Sequence, residues 1–182
     1  MKLKHPILSY SNSDATYVEY DPAAIEVAGA VAQLIETAAP WAQVEHIGST
    51  AIPGCAGKGI VDVMVMYPPD RLEATRTAID ALGFQRQKIG HIFPEERPMR
   101  VGALEHDGRR YRLHAHVIAA SSPEVASLRR FRDLLCADSA LRDAYQDKKR
   151  AILQSGMSEP RAYTRAKGDF ITSVMGADSA RH

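Results

Sequence analysis

Hydrophobic and polar positions alternate through the middle of the chain with the two-residue period of β-strands. The clearest case is the segment 60–66, which puts three valines on one face and Asp62 with two methionines on the other. The same reasoning predicts further short strands at 44–47, 84–88, 100–105 and 110–119, and a hairpin turn at His106-Asp107-Gly108.

Apolar residues recur at helical spacing elsewhere in the chain. A helix is predicted to begin at Asp21-Pro22, because Asp is a good N-cap and Pro fits the first helical turn. A second amphipathic helix is predicted at 70–82. Residues 123–175 carry an apolar stripe that predicts two or three more helices, whereas residues 1–16 are expected to form a loosely held N-terminal arm.

This order of elements predicts an α+β protein with a small mixed β-sheet followed by a helical C-terminal layer. The length of 182 residues favours a single domain spanning 1–182. The chain is 45% hydrophobic and 25% charged, which is ordinary for a soluble globular protein and excludes a disordered chain, a collagen and a disulfide-stapled miniprotein.

A formal net charge of +1 leaves no whole-protein field that would attract nucleic acid or an anionic membrane, so neither partner is expected. Basic residues at 148–150 are interspersed with acidic ones and are expected to face solvent. Cys55 and Cys136 lie far apart and lack metal-ligand spacing, which fits a reducing compartment. With no secretory h-region and no apolar stretch of about twenty residues, a cytoplasmic location is expected.

The first candidate site lies between the first two predicted strands. Gly48-Ser49-Thr50 begins a breaker-rich turn, where bare backbone N–H groups and two hydroxyls can approach an anion. Lys58 can neutralise a phosphate as a point charge. Asp62 lies in mid-strand, where one carboxylate suits Mg²⁺ bound beside a substrate phosphate. The alternative is an ordinary Ser-Thr turn and an Asp that bonds to nearby backbone.

The second candidate site lies on the last predicted strand. Alternation places Arg112, His114 and His116 on one face, opposite a face of apolar residues. The two imidazoles can ligate one transition metal, or one can act in acid–base chemistry while the other binds phosphate. His46, on an earlier strand, is a further candidate ligand for the same cleft. The alternative is a solvent-facing strand with polar side chains.

These segments resemble the GrpB family, a family with a nucleotidyltransferase-like fold that is also found fused behind dephospho-CoA kinase. The resemblance runs in order from about residue 18 to 175. The matching stretches are Val-Glu-Tyr-Asp-Pro (18–22), His-Ile-Gly-Ser-Thr-Ala-Ile-Pro-Gly (46–54), Lys-Gly-Ile-Val-Asp (58–62), Leu-Gly-Phe (82–84), Leu-His-Ala-His-Val (113–117), Phe-Arg-Asp-Leu-Leu (131–135) and Tyr-Thr-Arg-Ala-Lys-Gly-Asp-Phe-Ile (163–171).

The resemblance implies a nucleotidyltransferase-like mixed sheet, a Gly-Ser phosphate clamp and a metal-binding carboxylate on the next strand, here Asp62. Active nucleotidyltransferases usually carry Asp-x-Asp, whereas this chain has Met64 at the second position. The third acidic position corresponds to His114 or His116. Two-metal phosphoryl transfer needs anionic ligands at both metals, so ordinary Mg²⁺-dependent nucleotidyl transfer is not the expected chemistry.

Three functions follow as hypotheses. The first is a phosphoryl or nucleotidyl transferase that acts on a nucleotide or other phosphorylated small molecule, with one Mg²⁺ or Mn²⁺ and with Asp62 and His116 as catalytic residues. The second is a non-catalytic module that binds such a ligand or assists a partner enzyme. The third is a protein that binds Zn²⁺ or another transition metal through Asp62 and the histidines, because imidazole suits these metals better than Mg²⁺.

Overall fold

The computed structural model describes residues 6–11, 17–88, 92–154, 168–174 and 176. Within them a five-stranded sheet is packed between helices, which confirms the predicted α+β class. The strands are β1 (Gln43–Ile47), β2 (Ile60–Tyr67), β3 (Gln85–Arg86), β4 (Met99–His106) and β5 (Arg109–Ala119). The helices are α1 (Ala23–Ala38), α2 (Leu72–Ala81), α3 (Pro123–Ala137) and α4 (Ser139–Gln154).

The sheet is mixed, with the strand order β1-β2-β5-β4-β3. Strands β2 and β5 run parallel, and the other neighbouring pairs run antiparallel. The parallel register sets Asp62 beside His114 and Met64 beside His116. Since side chains alternate along each strand, these four residues share one face of the sheet.

Helices α1 and α2 cover the opposite face, where the three valines of β2 are fully buried with the apolar residues of β5.

The predicted cap of α1 is present, because the Asp21 carboxylate accepts a hydrogen bond from the backbone N–H of Ala23 at 3.1 Å. Helix α2 begins two residues later than predicted. Asp70 has a φ of 63°, outside the helical region, so the helix cannot start there.

The predicted hairpin between β4 and β5 is confirmed. Asp107 and Gly108 have φ values of 48° and 73°, as a two-residue turn with left-handed central residues requires.

The predicted helical layer is confirmed where the structure describes it, as α3, α4 and a helical segment at 168–174. Ser122 caps α3 by accepting a hydrogen bond from the N–H of Glu124, and Asp138 does the same at the start of α4. Residues 155–167 of this layer lie outside the described residues. Among those described, no helix is both long and apolar enough to cross a lipid bilayer.

Residues 6–11 do not form the loosely held arm expected from the sequence. Ile7 is only 2% exposed and packs into the core beside Gly102. Leu8 pairs with Ala103 of β4 through two backbone hydrogen bonds of 2.8 and 2.9 Å. This part of the arm is anchored because it supplies an apolar side chain to the core and continues the edge of the sheet. The remaining arm residues, 1–5 and 12–16, lie outside the described residues.

Candidate functional site

Asp62, His114 and His116 form a cluster on the open part of the sheet. The Asp62 Oδ1 atom lies 3.3 Å from His114 Nδ1 and 3.3 Å from His116 Nε2. One potential ligand atom from each side chain falls within 4.8 Å of the other two, and this is the one group of three such side chains among the described residues. The three side chains are 17–24% exposed, so the cluster is shielded yet reachable from solvent.

The charge state of Asp62 is set by two opposing effects. Burial alone would raise the pKa of this carboxyl, but hydrogen bonds from His114 and His116 and the attraction of the two imidazoles outweigh burial. The pKa of Asp62 is therefore well below its usual range, and the group is a carboxylate at neutral pH. The ionised Asp62 oxygen and the two imidazole nitrogens beside it are the donor atoms that a metal site with one carboxylate and two histidines requires.

Two aromatic side chains from distant parts of the chain flank the cluster. The Tyr10 hydroxyl lies 3.2 Å from Nε2 of His114, and the two rings are 5.7 Å apart. Phe93 meets His116 edge-on at 5.6 Å and is itself covered by the guanidinium of Arg97 at 5.2 Å. Sequence reasoning missed both, because neither belongs to a motif and only the tertiary fold brings them to β5.

Gly48 is placed directly against Asp62. Its backbone has a φ of 74° and a ψ of −173°, and a β-carbon there would lie 2.6 Å from Asp62 Oδ2. The predicted Gly-Ser turn and the predicted metal-binding carboxylate are therefore in contact. A side chain at position 48 would displace the carboxylate, so the glycine permits this close approach.

Ser49 belongs to a single 3-10 turn. Its side chain and that of Lys149 in α4 both lie against Gly57. A β-carbon at Gly57 would lie 2.7 Å from Ser49 Oγ and 3.2 Å from Lys149 Nζ. Lys149 is 2% exposed and donates a hydrogen bond to the carbonyl oxygen of Ala56. Its ammonium also lies 4.4 Å from the ring centroid of Tyr145.

The solvent-facing position expected for residues 148–150 is therefore wrong for Lys149. The available signal was spacing, because Lys149 lies four residues after Tyr145 and three before Ile152, on the buried stripe of α4.

His46 does not belong to the cluster of Asp62, His114 and His116. Its Nε2 atom lies 3.0 Å from Thr50 Oγ1, and the Thr50 hydroxyl donates to the carbonyl oxygen of Ile60 at 3.1 Å. Burial lowers the pKa of His46 to about 4, so the ring is neutral at pH 7. Because the one hydroxyl proton of Thr50 is used, His46 is the donor, and its Nε2–H proton points at Thr50 rather than at a metal.

The remaining predicted phosphate-binding residues line a cavity of about 210 Å³ at the same end of the sheet. Thr50, Lys58 and Arg112 all contribute to its wall, together with Arg109 and Arg110. The Arg112 guanidinium donates to the carbonyl oxygen of Lys58 at 2.6 Å, which joins two sides of the cavity. Arg112 precedes His114 by two residues on the same strand face, so it connects this cationic cavity with the cluster, although none of the three cluster members lines the cavity.

Met64 follows Asp62 on the same sheet face but has a different environment. It is fully buried in an apolar cluster with Ile47, Met66 and Ile118 of the sheet and with Val125 of α3. Helix α3 thus covers Met64, the residue that the family resemblance matches to the second carboxylate of active nucleotidyltransferases. The open part of the site has one carboxylate, Asp62, and two imidazoles.

Comparisons with known proteins agree on one family. The GrpB protein family matches residues 15–177 of the chain. The UPF0157 protein of Halalkalibacterium halodurans is 27% identical over 166 residues, which cover 90% of this chain and 82% of that protein.

Two solved structures share the fold. The conserved protein GrpB from Enterococcus faecalis has a TM-score of 0.63 and 20% identity, and the match covers 88% of this chain and 99% of that one. The structure of the GLD-2/RNP-8 complex has a TM-score of 0.52 and 12% identity, with 85% and 58% covered. These likenesses show the fold alone, which is nucleotidyltransferase-like.

Proposed function

The chain belongs to the GrpB family, and we propose that it binds a nucleotide or another phosphorylated small molecule at a single divalent-metal centre. Asp62, His114 and His116 would hold the ion, and the cationic cavity beside them would receive the ligand's anionic group. The observation that carries the proposal is the contact of both imidazoles with one ionised carboxylate oxygen, at 3.3 Å each.

The donor set decides which metal fits. Mg²⁺ prefers oxygen ligands, whereas imidazole suits Zn²⁺ and the neighbouring first-row metals. One carboxylate and two imidazoles therefore fit a single ion such as Zn²⁺ or Mn²⁺ better than a pair of Mg²⁺ ions. A bound ion of this kind supplies Lewis-acid chemistry, because it neutralises the charge of a coordinated phosphate oxygen.

The ligand class follows from the charges beside the cluster. The walls of the 210 Å³ cavity carry Lys58, Arg109, Arg110 and Arg112, against the carboxylates of Glu19 and Asp21. Arginine and lysine are the side chains that bind phosphate in proteins. The Gly48-Ser49-Thr50 turn adjoins both the cavity and Asp62, so it would complete the phosphate-binding surface.

Two versions of this function differ in catalysis. As a phosphoryl or nucleotidyl transferase, the protein would use Asp62 and His116 as the catalytic residues that hold the ion against the reacting phosphate. The second candidate is a non-catalytic module that binds the ligand or assists a partner enzyme. The burial of Met64 favours this second version over a two-metal transferase, because no carboxylate is present at that position to hold a second ion.

A combined metal and ligand experiment tests the proposal. The full chain is stripped with a chelator and titrated with Zn²⁺, Mn²⁺ and Mg²⁺ by calorimetry, and nucleotides are then screened by thermal shift with and without the tightest metal. Asp62→Asn removes one charge but keeps the shape of the side chain. His106→Gln is the matched control, because His106 lies at the far hairpin end of β4 and bonds to Glu26.

We expect one equivalent of Zn²⁺ or Mn²⁺ in the wild type and in His106→Gln, and strongly weakened binding in Asp62→Asn. We also expect nucleotides to raise the melting temperature further when the metal is present. Nucleotide stabilisation without any metal dependence would favour the non-catalytic module. Absence of both metal and nucleotide binding in the wild type would contradict the proposed function.

A further inference from the structure

The N-terminal arm reaches the metal-ligand cluster from outside the family match. That match begins at residue 15, whereas Tyr10 contacts His114 from the segment 6–11. Ile7 and Leu8 fix this segment to the core and to β4 without any help from the Tyr10 hydroxyl. The position of Tyr10 is thus set by neighbouring residues, and its hydroxyl contacts both His114 of the cluster and the side chain of Arg112.

The contact uses the nitrogen of His114 that faces away from Asp62. Nδ1 of His114 lies 3.3 Å from Asp62 Oδ1, and Nε2 lies 3.2 Å from the Tyr10 hydroxyl. A carboxylate only accepts hydrogen bonds, so without a metal Nδ1 carries the proton and donates it to Asp62. A ring that carries only this proton has a lone pair on Nε2, which can accept the hydrogen bond of the Tyr10 O–H.

Metal coordination through Nδ1 reverses these roles. A lone pair on Nδ1 is required for the ion, so the one proton of the neutral ring must be on Nε2. Nε2–H then donates, and the Tyr10 oxygen accepts. A hydroxyl can act as donor or acceptor, so Tyr10 keeps its hydrogen bond to His114 in both states. Metal-ligating histidines almost always donate their second N–H in this way.

We propose that Tyr10 is a positioning residue of the metal centre, whose hydroxyl holds the His114 ring with Nδ1 toward Asp62. This inference depends on the proposed metal site and adds the N-terminal arm to it. Tyr10 itself does not contact the ion; it acts through His114. The arm is accordingly part of the site even though it precedes the segment that matches the family.

Tyr10→Phe tests the proposal, because it removes the hydroxyl and keeps the ring. We expect Zn²⁺ affinity, measured in competition with a chromophoric chelator, to fall about 10- to 100-fold, the usual effect of losing such a partner. The metal-free melting temperature and far-UV circular dichroism should match the wild type, since Ile7 and Leu8 still anchor the arm. Tyr17→Phe is the control, because Tyr17 stacks on Arg150 of α4 and contacts no member of the cluster.

A spectroscopic measurement separates positioning from a general structural effect. The ¹⁵N shifts of the His114 ring in the zinc-loaded protein should show a protonated Nε2 and a coordinated Nδ1, with the ordered Nε2–H signal lost or broadened in Tyr10→Phe. Equal zinc affinity in Tyr10→Phe and the wild type, or coordination through Nε2, would overturn this inference alone. A wild type that binds no metal would overturn the proposed function and this inference together.

Discussion

Gly48 and Asp62 are packed so closely that a β-carbon on the glycine would lie 2.6 Å from Oδ2 of the carboxylate. The backbone of Gly48, with a φ of 74° and a ψ of −173°, is in a region that only glycine commonly occupies. Position 48 therefore requires glycine for two reasons. Other residues rarely adopt this backbone conformation, and a side chain would occupy the space that Asp62 needs beside the turn.

The first prediction is that Gly48→Ala lowers both stability and metal binding. The backbone conformation alone should cost about 1–3 kcal/mol of unfolding free energy, and displacement of Asp62 should weaken Zn²⁺ binding. Urea denaturation and calorimetric titration measure the two effects. Gly29→Ala is the control, because Gly29 lies inside α1 with nothing within 4 Å of its would-be β-carbon, and should leave metal binding unchanged. Wild-type metal affinity in a folded Gly48→Ala protein would contradict the placement of the turn at the site.

The second prediction concerns the missing carboxylate. Met64→Asp should not rebuild a two-metal site, because the new carboxyl would lie in the apolar cluster under α3 rather than in the open cleft. Burial of an unpaired carboxyl should destabilise the protein by more than about 3 kcal/mol. Met64→Leu, which conserves volume, should cost less than about 1.5 kcal/mol. A Met64→Asp protein as stable as the parent, with tighter Mg²⁺ binding, would contradict this description of Met64.

The third prediction concerns acid sensitivity. Burial lowers the pKa of His46 to about 4 from its ordinary value of 6.5, so the unfolded state binds the proton more tightly. The free energy of unfolding that depends on a neutral His46 ring is therefore present above pH 6.5 and is lost as the pH falls toward 4. Between pH 7 and pH 4.5 this loss amounts to about 2–3 kcal/mol.

His46→Gln keeps a donor for Thr50 but cannot take up a proton. Its unfolding free energy should therefore fall less than that of the wild type between pH 7 and pH 4.5, as measured by urea denaturation across the range. The lowered pKa of Asp62 does not disturb this test, because that carboxyl loses its contribution mainly below pH 4. Parallel curves for the wild type and His46→Gln would show that His46 is not held neutral by burial.

The fourth prediction separates ligand binding from metal binding. Arg112→Gln should weaken the binding of pyrophosphate or a nucleotide about tenfold or more, because it removes a charge from the cavity wall. Zn²⁺ affinity should change much less. Arg150→Gln is the control, since Arg150 is exposed on α4 and pairs with Asp147. Unchanged ligand affinity in Arg112→Gln would remove the cavity from the proposed site.

Features that depend on local pattern could be predicted from the sequence. Alternation located β2 and β5. It correctly placed Asp62 on the face of β2 opposite the valines, and His114 and His116 together on one face of β5, because side-chain direction along a strand follows directly from position. The helix boundaries were less accurate. Asp70 fits a helix start by residue type, yet its left-handed backbone delays α2 to Leu72.

Features that depend on tertiary contact could not be predicted. Tyr10 and His114 are separated by 104 positions, and nothing in either segment indicates the contact. The burial of Met64 depends on where α3 crosses the sheet, which periodicity does not specify. Lys149 is an intermediate case. Its spacing places it on the buried stripe of α4, but a charged residue there is normally solvated unless a neighbouring loop, here 55–57, offers it partners.

The proposed metal centre is tested most directly by crystals of the full chain grown with one equivalent of Zn²⁺ and measured at the zinc absorption edge. We expect one strong anomalous peak, at about 2.0–2.2 Å from Asp62 Oδ1, His114 Nδ1 and His116 Nε2. In Asp62→Asn crystals prepared in the same way, that peak should be weak or absent. A wild-type crystal with no peak at these three side chains, or with the zinc bound elsewhere, would contradict the proposed metal centre.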